Sequence, residues 1–94
     1  LESVYEAAMV IVLREQGIAV ERQHPLDVHF RGVGIGTFRA DLLVERKILV
    51  ELKAVKTLEP AHVAQVLNYL RLSQVKVGIL ANFAERLEVR RFVM

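Results

Sequence analysis

Two short segments of the sequence combine charged side chains with a strictly alternating apolar pattern. Asp41 lies in the first segment, residues 37–45, and Glu51 and Lys53 lie in the second, residues 47–55. Because alternate residues of a strand share one face of a sheet, the pattern predicts a two-stranded hairpin with one apolar and one charged face. The apolar residues are Phe38, Ala40, Leu42 and Val44 in the first strand and Ile48, Val50, Leu52 and Ala54 in the second.

The register of this hairpin decides where its charges lie. Matching the apolar positions puts Arg46 at the tip, Asp41 directly across from Glu51, and Arg39 across from Lys53. Opposed side chains have Cβ atoms about 5 Å apart, where like charges destabilise a sheet. A divalent cation such as Mg²⁺ would relieve the repulsion, because it prefers oxygen ligands. The alternative is a solvated quartet of salt bridges without a function.

The segments before this hairpin predict a helix and a strand. Residues 1–16 read as a helix that ends at Gly17, in the left-handed conformation that glycine favours. Extended character over residues 19–31 follows, where Pro25 indicates an edge strand. The three glycines within residues 32–36 predict a turn. The apolar arc of the helix is Leu1, Val4, Tyr5, Ala8, Ile11 and Val12.

The segments after the hairpin predict a second helix and two more strands. Pro60 suits the first turn of a helix, which runs to about Ser73. Residues 77–83 are apolar on both faces, as in a central strand, whereas the more polar residues 87–93 indicate an edge strand. A strand, a helix and a strand in succession imply a right-handed crossover to a parallel neighbour. The predicted fold is therefore α/β, with the order αβββαββ and a mixed sheet flanked by two helices.

Length and composition limit the class of protein. A chain of 94 residues with 53% hydrophobic residues suits one domain, residues 1–94. It opens at Leu1 inside a helical pattern, so we expect a trimmed N-terminus. No apolar run is long enough to cross a membrane, and we expect a cytoplasmic protein without a membrane partner. The absence of cysteine excludes disulfides, thiolate zinc sites and cysteine nucleophiles.

The spacing of the charged residues also has a known counterpart. Asp41, Glu51 and Lys53 resemble the D…ExK signature of the PD-(D/E)XK nuclease superfamily, with Ala40 in the place of the proline. The segment from Gln65 to Tyr69 resembles the Q-x-x-x-Y helix motif of many relatives.

A narrower resemblance adds the first residues of the chain. Together with the motifs above, the segment from Glu2 to Tyr5 resembles the family named for its GxxExxY pattern, whose glycine would precede residue 1. These resemblances span nearly the whole chain and imply a restriction-endonuclease-like fold.

The resemblance also implies roles for individual residues. Asp41 and Glu51 would bind one or two Mg²⁺ or Mn²⁺ ions, helped by the backbone carbonyl of Leu52. Lys53 would face the scissile phosphate. Glu2 resembles the carboxylate of the first helix that completes the acidic cluster in many of these nucleases. The implied activity is metal-dependent hydrolysis of nucleic acid, most simply DNA.

Three further residues are candidates for contacts with substrate or with the catalytic groups. Gln65 and Tyr69 lie with His62 on one polar stripe of the second helix, from which they could contact Lys53 or a nucleic-acid backbone. The alternative is a polar shoulder beside the core. Arg39 is the third candidate, because it lies next to the acidic pair.

Two hypotheses for function remain open at this point. The first is a Mg²⁺-dependent nuclease, and the second is a non-catalytic module that binds nucleic acid or assembles with protein on the same fold. A net charge of +2 decides little between them. A basic groove leading to Asp41 would favour the first hypothesis, and an apolar patch over that face would favour the second. We also expect a homodimer, because the strand over residues 87–93 leaves an edge unpaired.

Overall fold

The fold follows the predicted order of elements. The computed structural model describes every residue, Leu1–Met94, and contains two helices and five strands. Neither helix has the length and apolar character required to span a bilayer. The elements are α1 (Glu2–Glu15), β1 (Val20–Phe30), β2 (Val33–Val44), β3 (Ile48–Lys53), α2 (Pro60–Leu72), β4 (Val77–Phe83) and β5 (Leu87–Val93).

The five strands form one mixed sheet in the order β1-β2-β3-β4-β5. Strands β3 and β4 are parallel and joined through α2, whereas all other neighbours are antiparallel. The predicted crossover to a parallel neighbour is therefore confirmed. Strands β1 and β5 are the two edges, as Pro25 and the polar character of the last strand predicted.

Local sequence signals fix the ends of the helices. The chain leaves α1 through Gly17, whose φ of 76° is in the left-handed region that glycine adopts without strain. At the start of α2, the backbone carbonyl of Glu59 accepts the N–H of His62 at 2.9 Å, and Nδ1 of His62 accepts the N–H of Glu59 at 2.9 Å. This reciprocal pair satisfies two of the donors that a helix start leaves unpaired. The side chain of His62 therefore caps the N-terminus of α2.

The turn predicted over residues 32–36 is shorter than expected. Arg31 and Gly32 alone make the turn, with φ of 50° and 80°, and β2 begins at Val33. A two-residue hairpin turn needs positive φ at both central positions, and these two residues supply it. Gly34 and Gly36 instead pair with β1 as ordinary strand residues.

The buried face of α1 also differs from the predicted arc. Its buried residues are Glu6 and Val10, with Met9 and Leu13 packed against the same core. Four residues of the predicted arc are exposed. The helix carries apolar residues around most of its circumference, so periodicity alone could not select the face. The exposed residues are Leu1, Val4, Ile11 and Val12.

Both faces of the sheet are covered, one by each helix. The prediction of a single apolar face is therefore wrong, because α2 covers the face assigned to the charges. Ala40 packs on the α2 side although Leu42, two residues further, packs on the α1 side. The α1-side cluster is Val10, Val20, Leu42, Val50, Leu52 and Ala81; the α2-side cluster is Ala40, Leu49, Val66, Tyr69, Leu70 and Leu80.

We predict that Gly78→Ala destabilises the protein. A Cβ atom at this position of β4 would lie 2.8 Å from Cγ1 of Val66 and 3.0 Å from Cδ1 of Leu70. Val66 is fully buried and stiff at its branched carbon, so the packing cannot yield cheaply. Overpacking of this kind costs about 1–3 kcal/mol, which a urea denaturation curve would measure.

Gly36→Ala is the matched control, because a Cβ atom there meets nothing within 4 Å. Equal unfolding free energies for the two variants would contradict close packing of α2 on β4.

Candidate functional site

The candidate site lies where β2 and β3 separate. Their paired residues are Leu42 with Val50, Leu43 with Leu49, and Val44 with Ile48. This is the register that the apolar pattern predicted. The ladder ends there, and Asp41 and Glu51 are the next residue of each strand. In place of further ladder bonds, each carboxylate binds a backbone amide of the other strand.

The hydrogen bonds of the two carboxylates lock them together. Oε1 of Glu51 accepts the N–H of Asp41 at 3.3 Å, and Oδ2 of Asp41 accepts the N–H of Leu52 at 2.8 Å. Every fully buried side-chain nitrogen or oxygen in the protein has a partner. The Glu51 side chain also contacts the Asp41 side chain. The structure thus brings the two predicted metal ligands together.

Burial makes Glu51 the most perturbed acid of the chain. Glu51 is only 3% exposed to solvent. Burial, and next the negative charge of Asp41, raise the pKa of Glu51 from 4.5 to about 8, although the Asp41 N–H and the charge of Lys53 lower it in part. Glu51 therefore retains its proton at neutral pH unless a cation replaces it.

Lys53 lies at the end of β3 with its charge unpaired. It is half-buried, it neighbours Asn82 of β4, and it forms no salt bridge within 4.0 Å. The backbone that follows it is fixed, because the Asn82 amide makes two hydrogen bonds of 2.9 Å with the backbone of Val55. No pattern in the sequence indicated this role for Asn82.

The salt-bridge alternative is not found in the structure. None of the four residues of the proposed quartet takes part in a salt bridge. Arg39 pairs with Pro25 of β1 and does not lie across from Lys53 in a ladder, because β2 has already left β3. The Arg39 guanidinium instead donates to the backbone carbonyl of Gln23 at 3.1 Å. Its contact is thus with β1.

The first helix contributes a carboxylate other than the predicted one. Glu2 is exposed in the first turn and makes no hydrogen bond or salt bridge. One turn later, buried Glu6 accepts a hydrogen bond from Nε2 of Gln23 at 3.0 Å and lies 3.7 Å from Nε of Arg22. The same Gln23 nitrogen lies 3.4 Å from Oδ1 of Asp41. Gln23 therefore links Glu6 to Asp41.

A signal for Glu6 was present in the sequence. Glu6 precedes Val10 by four residues, and residues at this spacing share a helix face. An acidic residue on a buried apolar face is unusual unless it is paired. The predicted arc placed Glu6 off the buried face, and so this signal was missed.

The polar residues of α2 lie close to the acidic pair. Tyr69 is buried, and its hydroxyl donates to the Arg39 carbonyl at 3.4 Å and accepts from Nε2 of Gln65 at 3.3 Å. Burial raises the pKa of Tyr69, and the charges of Glu51 and Asp41 raise it further. Tyr69 therefore belongs to the core and also lies within the electrostatic reach of both carboxylates. It makes no hydrogen bond to Lys53.

The donor set at this site fits a hard cation. Asp41 and Glu51 offer carboxylate oxygens only, and no group of three or more His, Cys, Asp or Glu side chains is placed to hold a metal. Mg²⁺ suits such a pair, because it binds through one or two carboxylates and keeps several waters. A cation would also offset the burial and the repulsion from Asp41 that keep a proton on Glu51. The two residues therefore fit Mg²⁺ or Mn²⁺.

Known structures share this fold. The crystal structure of SSO0001 superposes with a TM-score of 0.73 and 20% identity, over 98% of this chain and 50% of that one. An alkaline exonuclease from Laribacter hongkongensis, LHK-Exo, superposes with a TM-score of 0.68 and 15% identity, over 97% of this chain and 55% of that one. The chain thus spans about half the length of each.

Sequence comparison identifies the family. No curated protein matches the chain significantly. A family model of the PD-(D/E)XK nuclease superfamily matches residues 1–92, which include the whole D…ExK signature and both helices. The chain therefore belongs to the PD-(D/E)XK nuclease superfamily.

Proposed function

We propose that this domain is a Mg²⁺-dependent nuclease that hydrolyses phosphodiester bonds in DNA. The observation that carries the proposal is the Asp41–Glu51 pair at the separation of β2 and β3, where Glu51 is buried beside a like charge. Acids with a perturbed pKa cluster at catalytic sites, and this one lies near a lysine that has no carboxylate partner. The membership of the chain in a nuclease superfamily supports the same reading.

Each residue of the pair would serve a bound cation. Asp41 and Glu51, with the Leu52 carbonyl, would hold Mg²⁺, which supplies a more acidic water and offsets the charge of a phosphodiester. The Leu52 N–H orients Asp41 through a hydrogen bond of 2.8 Å. The side chain would therefore lose little conformational freedom when a cation binds.

Lys53 would act on the phosphate. Its ammonium group has no carboxylate partner within 4.0 Å, and the pinned Val55 backbone limits how far the end of β3 can move. A positive charge held ready in this way stabilises the negative charge that develops on a phosphate.

The substrate would approach along the open cleft next to Lys53. This cleft of about 700 Å³ begins at Asn82, which neighbours Lys53, and it is lined in part by Lys56 and Arg86. Neither of these two cations forms a salt bridge. Two glutamates also line the cleft, so the groove has mixed charge. A phosphate backbone could use the two unpaired cations.

The narrower GxxExxY family is part of the proposal. Its tyrosine corresponds to Tyr5, which stacks on Phe83 of β4 with ring centroids 4.4 Å apart. This contact fastens α1 to the sheet near the end of β4. This packing gives the tyrosine of the motif a structural role. Glu2, which is exposed in the first turn, remains a proposed acidic residue of the site.

A second candidate function is protein assembly. Strand β5 is an edge strand, and three of its apolar side chains are more than half exposed. An exposed apolar edge of this kind pairs readily with another chain, so β5 would suit a homodimer. The three residues are Leu87, Val89 and Val93.

The first prediction of the nuclease proposal concerns activity. Glu51→Gln and Lys53→Met should each lower Mg²⁺- or Mn²⁺-dependent cleavage of DNA by orders of magnitude, because each removes a catalytic charge and leaves the core packing in place. Glu15→Gln and Lys47→Met are matched controls, since both parent residues are exposed. Cleavage of labelled plasmid and linear DNA, with and without a chelator, provides the measurement.

The outcome also separates the two candidate functions. A folded parent that cuts no DNA with either metal would favour assembly. Well-folded Glu51 and Lys53 variants that cut as fast as the parent would assign the activity to another site.

The second prediction concerns pH. The fold raises the pKa of Glu51 from 4.5 to about 8. Between these two pH values the folded state therefore binds more protons than the unfolded state. The metal-free protein should therefore lose stability as the pH rises from about 5 to about 9. Glu51→Gln should lack this loss, since it has no proton to release. Melting curves in chelator across this range measure both.

Added Mg²⁺ should reverse the trend in the parent, because the cation displaces the proton and binds best at high pH. A metal-free parent that gains stability over the same range would contradict the buried, protonated Glu51.

A further inference from the structure

Gln23 has a backbone conformation that its position does not explain. Four non-glycine residues have positive φ, and three of them lie in the turns that close the two hairpins, where this conformation is common. Gln23, with a φ of 48°, lies inside β1. A side chain in this region is strained, whereas glycine is not. A glutamine at this strained position therefore indicates a role for its side chain.

The irregularity at Gln23 lies opposite the acidic site. Arg22 pairs with Leu42 and His24 pairs with Ala40, but no pair joins Gln23 to Asp41. Across this point the side chains of β2 change faces, because Leu42 packs towards α1 and Ala40 towards α2. The distortion thus coincides with the place where β2 leaves β3 and exposes Asp41.

The side chain of Gln23 bridges two carboxylates. Its Nε2 donates to Oε1 of Glu6 at 3.0 Å and to Oδ1 of Asp41 at 3.4 Å. A neutral amide has two hydrogens for such a purpose, and it separates the two negative charges without adding a third. Glu6 is itself held by Arg22 at 3.7 Å, so the bridge is anchored on α1.

The backbone of Gln23 is held as well. Its carbonyl accepts a hydrogen bond from the Arg39 guanidinium at 3.1 Å. A strained residue persists only where its surroundings over-determine it, and here contacts from α1 and β2 do so. Because Oδ2 of Asp41 is bound by Leu52 and Oδ1 by Gln23, the carboxylate cannot rotate without losing a bond.

We propose that Gln23 is a positioning residue, whose left-handed backbone and bridging amide hold the Asp41 carboxylate in the orientation that binds the cation. The inference rests on the proposed function. Arg39, a predicted contact residue, then has the role of holding the backbone of Gln23. Partners that orient a metal ligand typically change metal affinity by 10- to 100-fold, and we expect an effect of this size from Gln23.

Two variants separate the positioning role from a structural one. Gln23→Gly relieves the backbone strain and removes the amide, so its metal-free melting temperature should equal or exceed that of the parent. Gln23→Met keeps the length and the strain but lacks the amide. Both should bind Mn²⁺ at least about tenfold more weakly by titration calorimetry. Arg31→Gly is the control, because it relieves a φ of 50° in a turn and should leave Mn²⁺ affinity unchanged.

The titration distinguishes failure of this inference from failure of the proposed function. Parent and Gln23 variants that bind Mn²⁺ equally would overturn the inference and leave the metal site standing. A parent that binds no Mn²⁺ would overturn both. A Gln23→Gly variant that binds weakly only because it melts far below the parent would show that the residue supports the fold and not the carboxylate.

Discussion

The rest of the structure depends on two hydrogen bonds that join β2 and β3 at Asp41 and Glu51. At the end of the β2–β3 ladder, each carboxylate takes a backbone amide of the other strand, at 3.3 and 2.8 Å. The two strands can therefore separate without leaving their amides unpaired, which would be costly at a buried position. In the proposed function, this separation would make room for a substrate phosphate beside Lys53.

The same arrangement sets the electrostatics of the site. Two helices cover the sheet, so Glu51 is buried beside Asp41 and its pKa is raised to about 8. Burial of a charge is costly unless it is paired, and Lys53 is too distant to form a salt bridge. A proton or a divalent cation is left to compensate the pair. The fold thus maintains a buried acidic pair at the expense of stability, as functional sites commonly do.

The sequence was informative wherever the pattern was local. Alternation with a period of two determined the register of β2 and β3, because a slip by one residue would reverse every side chain. The faces of α1 were not determined, since apolar residues surround most of that helix. Leu43 and Leu49, on the supposedly charged face, were the sign that a second layer covers it. The contacts among Glu6, Gln23 and Asp41 join three distant segments, and no local pattern reports a left-handed glutamine.

The most direct test of the metal site is a set of melting curves at neutral pH for the parent and Asp41→Asn, with and without Mg²⁺ or Mn²⁺. Asparagine keeps an acceptor for the Leu52 N–H and removes the repulsion on Glu51. We therefore expect the metal-free variant to be at least as stable as the parent, and the metal to stabilise the parent alone. Asp27→Asn, on the exposed part of β1, should respond to metal like the parent. A clearly destabilised Asp41→Asn variant, together with a parent that ignores both metals, would contradict the metal site.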